Sequence, residues 1–274
     1  MSVATWVDGV PCAALPADDR GLLYGDGVFE TLVCERGRPR FLAQHLARLA
    51  AGCEALGFAS PPRALLEAEL RIAAAGGDAL LRLTVTRGSS PQRGYAPPPA
   101  PRPRRIVARY PWVAGTAGAP PAIRVADSPV LAGLAPQLAG LKHLNRLENV
   151  LARARLAGSG CDEAVVCDAN GHVVGGTMSN LFVVLGGRLV TPAIATAGVR
   201  GVMRGVVLRE APGLGLEVQE RMLRREELAG ASEVFFTNVR IGLWPVAELG
   251  GQAFAPAPGA VTLALRARIA ALRD

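Results

Sequence analysis

Short turns decide what the second half of this chain can fold into. Glu163 to Cys167 reads as a strand, Asp168-Ala169-Asn170-Gly171 as a turn, and His172 to Val174 as the returning strand. Leu181 to Leu185 and Arg188 to Val190 repeat the pattern across Gly186-Gly187. Strands joined so closely run antiparallel, because a parallel return needs a long crossover. Ile123 to Ala126, Leu216 to Arg221 and Ser232 to Thr237 read as further strands, and Ala4 to Val7 turns at Asp8-Gly9 into Val10. Arg20 to Val33 is a glycine-rich turn running into a strand. Ala79 to Arg87 alternates apolar and polar residues, and Ile106 to Tyr110 is another strand. Helical spacing intervenes. Leu42, Leu46, Leu49, Cys53 and Leu56 form one stripe along Phe41 to Phe58, and Pro61 and Pro62 open a second helix reaching about Ala75. Asn145 to Ala157, Gly201 to Arg209 and Val261 to Leu272 read as three more helices. This mixture predicts an α+β fold rather than a doubly wound parallel sheet.

A proline-rich stretch from Gly88 to Arg104 reads as an exposed loop, since proline cannot join a sheet ladder. Trp112 to Pro121, rich in Gly, Ala and Pro, marks the expected boundary. Residues 1–112 would form a small N-terminal α+β domain, 113–121 the linker and 122–274 a larger C-terminal domain containing Lys142.

Half of the 274 residues are hydrophobic, enough for a substantial core. Apolar runs such as Val202 to Leu208 are far shorter than a membrane span, and Met1 to Asp8 carries no secretory pattern. Five cysteines without a CxxC pair fit a reducing, cytoplasmic compartment. The net charge of +7 raises nucleic acid as a partner, but the arginines are spread along the chain with no zinc-finger, basic-zipper or RNP motif. Neither nucleic acid nor membrane is expected as a partner. His45, His143 and His172 match no zinc spacing, so no metal is expected, and no GxSxG is present. One count matters more. The 30 Lys plus Arg residues comprise 29 arginines and a single lysine, Lys142. Any covalent chemistry on an ε-amino group has that one candidate.

The segments DRGLLYGDGVFET, HLARL, RGSSPQRGY, KHLNRLENVLAR, DEAVVCDANGHVV, SNLF, GVRGVMR and EVFFTNV together resemble the class IV aminotransferase family over nearly the whole chain. Its members are pyridoxal-phosphate enzymes of fold type IV and include branched-chain aminotransferases, D-amino acid aminotransferases and aminodeoxychorismate lyases. The KHLNRLENVLAR segment most resembles the lyase branch. The resemblance implies a two-domain fold, a small α/β sandwich plus a larger pseudo-barrel. It also implies pyridoxal 5'-phosphate as cofactor and a homodimer with each active site between the two domains. The activity it implies is lysis of 4-amino-4-deoxychorismate to p-aminobenzoate and pyruvate, a step of folate biosynthesis.

Residue by residue, the resemblance makes Lys142 the Schiff-base lysine and general base. It makes Arg48, in an HxxR pattern, the phosphate arginine. Backbone N–H groups of Val202 and Met203, at the helix start after Gly201, would face the phosphate, as a helix N-terminus suits an anion. Asn238 and Val239 would add a backbone contact. Thr31 matches a position facing the cofactor, and Asn180 is expected to stabilise the loop beside the pyridine ring. Arg93 and Arg146 are candidates for the substrate's carboxylates, and His143 is expected to pack.

One position departs from the family pattern. Where relatives place a glutamate against the pyridine nitrogen, this sequence reads VVGGTMSNLF, with Gly175 in its place. That carboxylate keeps the ring protonated as an electron sink. Asp168 and Glu163 are poor substitutes by position. Transamination stores electrons in the ring, whereas lysis is driven partly by formation of a benzene ring, so the departure weighs against an aminotransferase. A non-catalytic pyridoxal-phosphate-binding homologue is the third reading, opposed by the retained Lys142 and Arg48.

Overall fold

The computed structural model describes residues 3–12, 14–112 and 120–272. Residues 113–119 of the expected linker lie outside them. The backbone divides into two compact units: Met1–Ala114 with Leu141–Asn145, and Gly115–Gly140 with Arg146–Arg273.

The first unit contains β1 (Ala4–Val7), β2 (Val10–Pro11), α1 (Arg20–Tyr24), β3 (Gly27–Glu35), β4 (Arg38–Pro39), α2 (Leu42–Ala55), α3 (Arg63–Ala74), β5 (Ala79–Thr86) and β6 (Arg104–Pro111). Its six-stranded sheet runs β2-β1-β6-β5-β3-β4 and is antiparallel throughout. The stripe read from sequence packs against it: Leu46, Leu49 and Cys53 of α2 join Leu66 and Leu70 of α3 in a buried core with Val28, Leu32, Leu81 and Leu83. Since β3 sends Val28, Leu32 and Cys34 into this core, the pleat turns Phe29 and Thr31 to the opposite face.

Sequence periodicity missed α1, which is only five residues long. Asp19 caps it through Gly21 N–H at 2.8 Å, and Gly25 ends it in the left-handed region, at φ 65°. The helix buries Arg20, which donates to Asp26 and to the carbonyls of Gly94, Tyr95 and Ala96. Arg20 therefore holds the proline-rich loop by its backbone, while its guanidinium lies 4.9 Å from the Tyr24 ring centroid.

The second unit contains β7 (Ile123–Asp127), α4 (Leu147–Leu156), β8 (Glu163–Cys167), β9 (Val173–Gly176), β10 (Asn180–Leu185), β11 (Arg188–Pro192), α5 (Val202–Glu210), β12 (Val218–Arg221), β13 (Glu233–Asn238), β14 (Gly242–Leu249), β15 (Gln252–Ala253) and α6 (Ala260–Ala270). The sheet order is β12-β11-β10-β13-β14-β7-β8-β9, with β15 beside β14. It curls until the start of β9 reaches the chain just after β12, where Val173 N–H donates to Leu223 O at 2.8 Å. Leu181, Val183, Phe236, Val125 and Leu223 fill the interior. This is the α+β, fold type IV architecture implied by the sequence.

Two differences from the sequence reading are informative. Strand β14 lay in a stretch left unassigned and contains Pro245, which pairs with Phe235 in the register. A proline in a sheet interior sacrifices a ladder bond, and here the ladder to β7 is already irregular between Val246 and Glu248. The other difference concerns Lys142. The sequence boundary assigns it to the C-terminal domain, whereas Leu141–Asn145 groups with the first unit. The cause is backbone pairing. β4 covers β3 only at Cys34 and Glu35, and farther back Phe29 N–H donates to Lys142 O (2.9 Å) while Leu144 N–H donates to Gly27 O (3.0 Å). The lysine segment is an extra fragment of antiparallel ladder on β3.

Candidate active site

Pairing to β3 places the Lys142 side chain over Phe29, with Nζ 4.1 Å from the ring centroid. A second cation shares that ring. The Arg82 guanidinium carbon lies 4.0 Å from the Phe29 centroid. Arg82 is directly opposite Thr31 in the β3–β5 register, so Thr31, Phe29 and Arg82 occupy one face of the sheet. Burial pulls the Arg82 guanidinium below its ordinary pKa, with Tyr110 acting in the opposite sense. A half-buried cation of this kind, near the only lysine, suits an anionic group. It was missed in sequence because alternation marked it merely as the polar side of a strand.

Behind Phe29, on the helix side of the same strand, lies an ionic cluster. Glu30 Oε2 meets His45 Nδ1 at 2.6 Å and Arg48 Nη2 at 2.5 Å, and Oε1 accepts from Arg48 Nε at 2.7 Å. Glu30 and His45 are buried, and the Arg48 side chain is 15% exposed. His45 and Arg48 stand three apart on α2 and share a face, which brings both to one carboxylate. Burial alone would raise the Glu30 carboxyl, but hydrogen bonds and charge from Arg48 and His45 outweigh it and hold the group below its ordinary 4.5. Burial also holds the His45 imidazole below 6.5, against the pull of Glu30. His45 is thus neutral at physiological pH and donates from Nδ1. Its Nε2 is buried with no hydrogen-bond partner among the described residues. The HxxR pattern drew attention to Arg48 alone. Neither Glu30 nor the orientation of His45 could be read without the strand behind them.

In the second unit, Gly175 lies near the end of β9 at φ +156°, and a Cβ there would stand 2.8 Å from Ser179 O. The backbone is shaped for glycine. The carboxylate in the vicinity is fully occupied. Glu163 Oε1 accepts from Ala164 N–H, Thr177 N–H and Thr177 Oγ1, and Oε2 accepts from Ser179 Oγ, at 2.5–2.9 Å. Glu163 secures the β9–β10 turn and does not stand in for a carboxylate at 175.

Helix α5 begins at Val202 and Met203, after Gly201, and no side chain among the described residues caps it. Asn180 donates to Val199 O at 2.8 Å, and its Oδ1 would lie 2.1 Å from a Cβ at 201. Only glycine fits there, and among the described residues no side chain makes a cap hydrogen bond to the first turn. This is a suitable cradle for a phosphate. Asn238 and Val239 lie where β13 turns into β14. Asn238 Oδ1 accepts from Arg240 and Ile241 N–H at 3.0 and 2.9 Å, so its side chain builds the turn. Arg146 is the N-cap residue of α4. Arg93 is exposed on the proline-rich loop, whose following carbonyls bind Arg20.

With these positions in view, the relatives can be compared. The sequence profile of Amino-transferase class IV matches residues 27–249. The chain belongs to the class IV aminotransferase family. It is 32% identical to the aminodeoxychorismate lyase of Vibrio harveyi over 246 residues, covering 89% of this chain and 90% of that protein. It superimposes on 4-amino-4-deoxychorismate lyase from Pseudomonas aeruginosa with a TM-score of 0.90, at 42% identity and 97% coverage of both chains. The branched-chain amino acid aminotransferase of Escherichia coli gives a TM-score of 0.87 at 26% identity, covering 98% of this chain and 94% of that one. The family therefore accommodates both lyase and aminotransferase on this fold.

Two outcomes follow for this family member. Gly175→Ala should destabilise the protein by about 1–3 kcal/mol, because the new Cβ meets a backbone oxygen and the φ disfavours L-residues; chemical denaturation measures it, and an unchanged midpoint contradicts the strain. Stability should also decline as pH falls below 6.5, where the unfolded chain protonates His45 and the folded one resists. A further loss comes below 4.5, as pH drops through the depressed folded value of Glu30, whose contribution is complete only above its unfolded value. Thermal melts across this range should show the upper slope in the wild type and its absence in His45→Gln.

Proposed function

We propose that this protein is a pyridoxal-phosphate-dependent 4-amino-4-deoxychorismate lyase, releasing pyruvate and leaving p-aminobenzoate. The observation that carries the reading is the backbone at Gly175. It has no room for a Cβ, so the ring nitrogen gains no carboxylate from this position. A transaminase depends on that partner in both half-reactions. Lysis depends on it less, because aromatisation of the product drives the step. The likeness to the Pseudomonas aeruginosa lyase over nearly the full chain supports the same choice.

The residues present fit the cofactor at its aldehyde and its phosphate. In the first unit Lys142 would supply the amine and Arg48 a cation; in the second, Val202 and Met203, at a helix start with no side-chain cap among the described residues, are assigned N–H donors by resemblance. Asn238 and Val239 are assigned a backbone contact. When bound, the cofactor draws electrons from the substrate carbon that carries the amino group. Lys142 Nζ takes the proton from that carbon as the enolpyruvyl C–O bond breaks, and returns a proton to the departing enolpyruvate to give pyruvate. The substrate has two carboxylates. Arg82, beside Lys142 across the Phe29 ring, is the best placed of the arginines in the first unit to bind one, with Thr31 next to it. Arg93 and Arg146 remain assigned to the second carboxylate, and a homodimer goes with this reading by resemblance.

The test mixes purified protein, pyridoxal phosphate and aminodeoxychorismate and follows p-aminobenzoate by fluorescence. Product should form with wild type and not with Lys142→Ala. A folded wild type that forms none, or that transaminates amino acids in preference, overturns the reading. Arg82→Met should raise KM by about tenfold or more while changing kcat less, as loss of a charged hydrogen-bond partner predicts. Equal loss in kcat and unchanged KM would remove Arg82 from substrate binding.

A further inference from the structure

We infer that Glu30 is a positioning residue for Arg48, and that the buried Glu30–His45 pair exists to fix the plane of that guanidinium for the phosphate of the cofactor. This rests on the reading that Arg48 meets the phosphate.

Stability alone does not explain the cluster. A buried ion pair replaced by apolar residues of similar volume often costs nothing, and sometimes stabilises. Here there is a further cost, a buried imidazole whose Nε2 has no partner among the described residues. Such an arrangement persists where geometry is needed. Arginine has a long flexible stem, and anchoring it beforehand removes an entropy loss that ligand binding would otherwise bear.

The geometry of the anchor is specific. Glu30 takes the Nε–Nη2 edge of Arg48 with both carboxylate oxygens, at 2.7 and 2.5 Å. Because the guanidinium is planar, this two-point contact fixes where its other edge, formed by Nη1 and the second Nη2 hydrogen, must point. His45 Nδ1 on Oε2, at 2.6 Å, keeps the carboxylate from rotating with the arginine. Neutral His45 leaves the cluster with one negative and one positive charge. Burial chiefly, with Arg48 and Lys142 adding in the same sense, disfavours a proton on His45 and keeps the cluster in this state. Glu30 also lies between Phe29 and Thr31 on β3, the strand that carries the Lys142 segment on its edge. The lysine and the arginine anchor are thus registered by consecutive residues of one strand.

Glu30→Gln offers one carbonyl oxygen to the N–H groups of Arg48 Nε, Arg48 Nη2 and His45 Nδ1, and sets its own NH2 against them. Arg48 loses its fixed plane. Removing the negative charge would by itself favour phosphate, so the two effects oppose. The loss of orientation dominates, because a contact to both oxygens of a carboxylate is replaced by one to a single neutral carbonyl oxygen for which His45 competes.

The experiment titrates full-length apoprotein with pyridoxal phosphate and, separately, with pyridoxal, which has the aldehyde but no phosphate. Visible absorbance gives both Kd values, and their ratio isolates the phosphate. Glu30→Gln should lower the preference for pyridoxal phosphate by about tenfold or more and leave pyridoxal binding within about twofold. In an Arg48→Met background the same substitution should change the ratio no further, since Glu30 then has nothing to position. Parallel loss of both ligands, tighter binding of pyridoxal phosphate, or effects that multiply in the double variant would each overturn the inference while leaving the phosphate role of Arg48 standing. Arg48→Met with an unchanged ratio would overturn both. If Glu30→Gln does not fold, Glu30→Asp, which keeps the charge but withdraws it by one methylene, should show a smaller loss confined to the phosphate; no such loss counts against the inference.

Discussion

The hydrogen bonds from Phe29 N–H to Lys142 O and from Leu144 N–H to Gly27 O determine most of what the first unit can do. They occupy the stretch of β3 that β4 leaves uncovered, and so convert an unpaired strand edge into the mount for the only lysine. A strand edge is a stiff reference, since its positions are fixed by a ladder whose other side is β5. The same strand serves on every side. Val28, Leu32 and Cys34 are buried in the core under the helices, Glu30 gathers His45 and Arg48, and Phe29 and Thr31 face away with Arg82. A displacement of β3 would move all of these together, which argues that their spacing is set once, by the core, rather than separately.

The second unit solves a different problem, the support of glycines that close contacts require. Gly201 has Asn180 against it, Gly176 would put a Cβ 2.3 Å from Ser179 Oγ, and Gly175 faces Ser179 O. Glu163 holds this turn from below by accepting from Thr177 and Ser179. Glu163, a poor ionic substitute by its position in the sequence, is a brace with both oxygens engaged. Its hydrogen bonds explain why a carboxyl group can be wholly buried there at all.

Much of this was legible in the sequence because the relevant signals are local. The α2 stripe, the hairpins after Cys167 and Leu185, and the uniqueness of Lys142 each depend on neighbours within a few residues. What escaped depends on pairing across the fold. Strand β14 was hidden by Pro245, which pairs with Phe235 next to an irregular stretch of the ladder to β7 that only the partner strand reveals. The grouping of Lys142 with the first unit was not legible, because its pairing to β3 spans more than a hundred residues of chain. Glu30 and Arg82 are ordinary polar positions in an alternating strand, and their significance comes from the helix behind one and the aromatic ring beside the other. Arg48 was found by resemblance, but its restraint by Glu30 required the sheet.

The chemistry asked of such a site depends on where electrons and negative charge must be held. At Gly175 the chain gives up a carboxylate that would strengthen an electron sink, and the shape of the backbone there shows that the loss is built into the turn rather than confined to one side chain. In the first unit the opposite choice is made: charge is retained, buried and braced, around Arg48, and a further cation is kept at Arg82 with an aromatic ring rather than a carboxylate beside it. If Arg48 and Arg82 bind anions as proposed, a site with cations there and no carboxylate at 175 suits a reaction in which the substrate supplies its own driving force. Formation of an aromatic product does that, because the electrons released at the amino-bearing carbon pass into the product's ring as the C–O bond breaks. On the proposed lyase reading, what is left to the protein is to align the proton, the carbon and the leaving group at Lys142, and a lysine mounted on a strand edge suits that task.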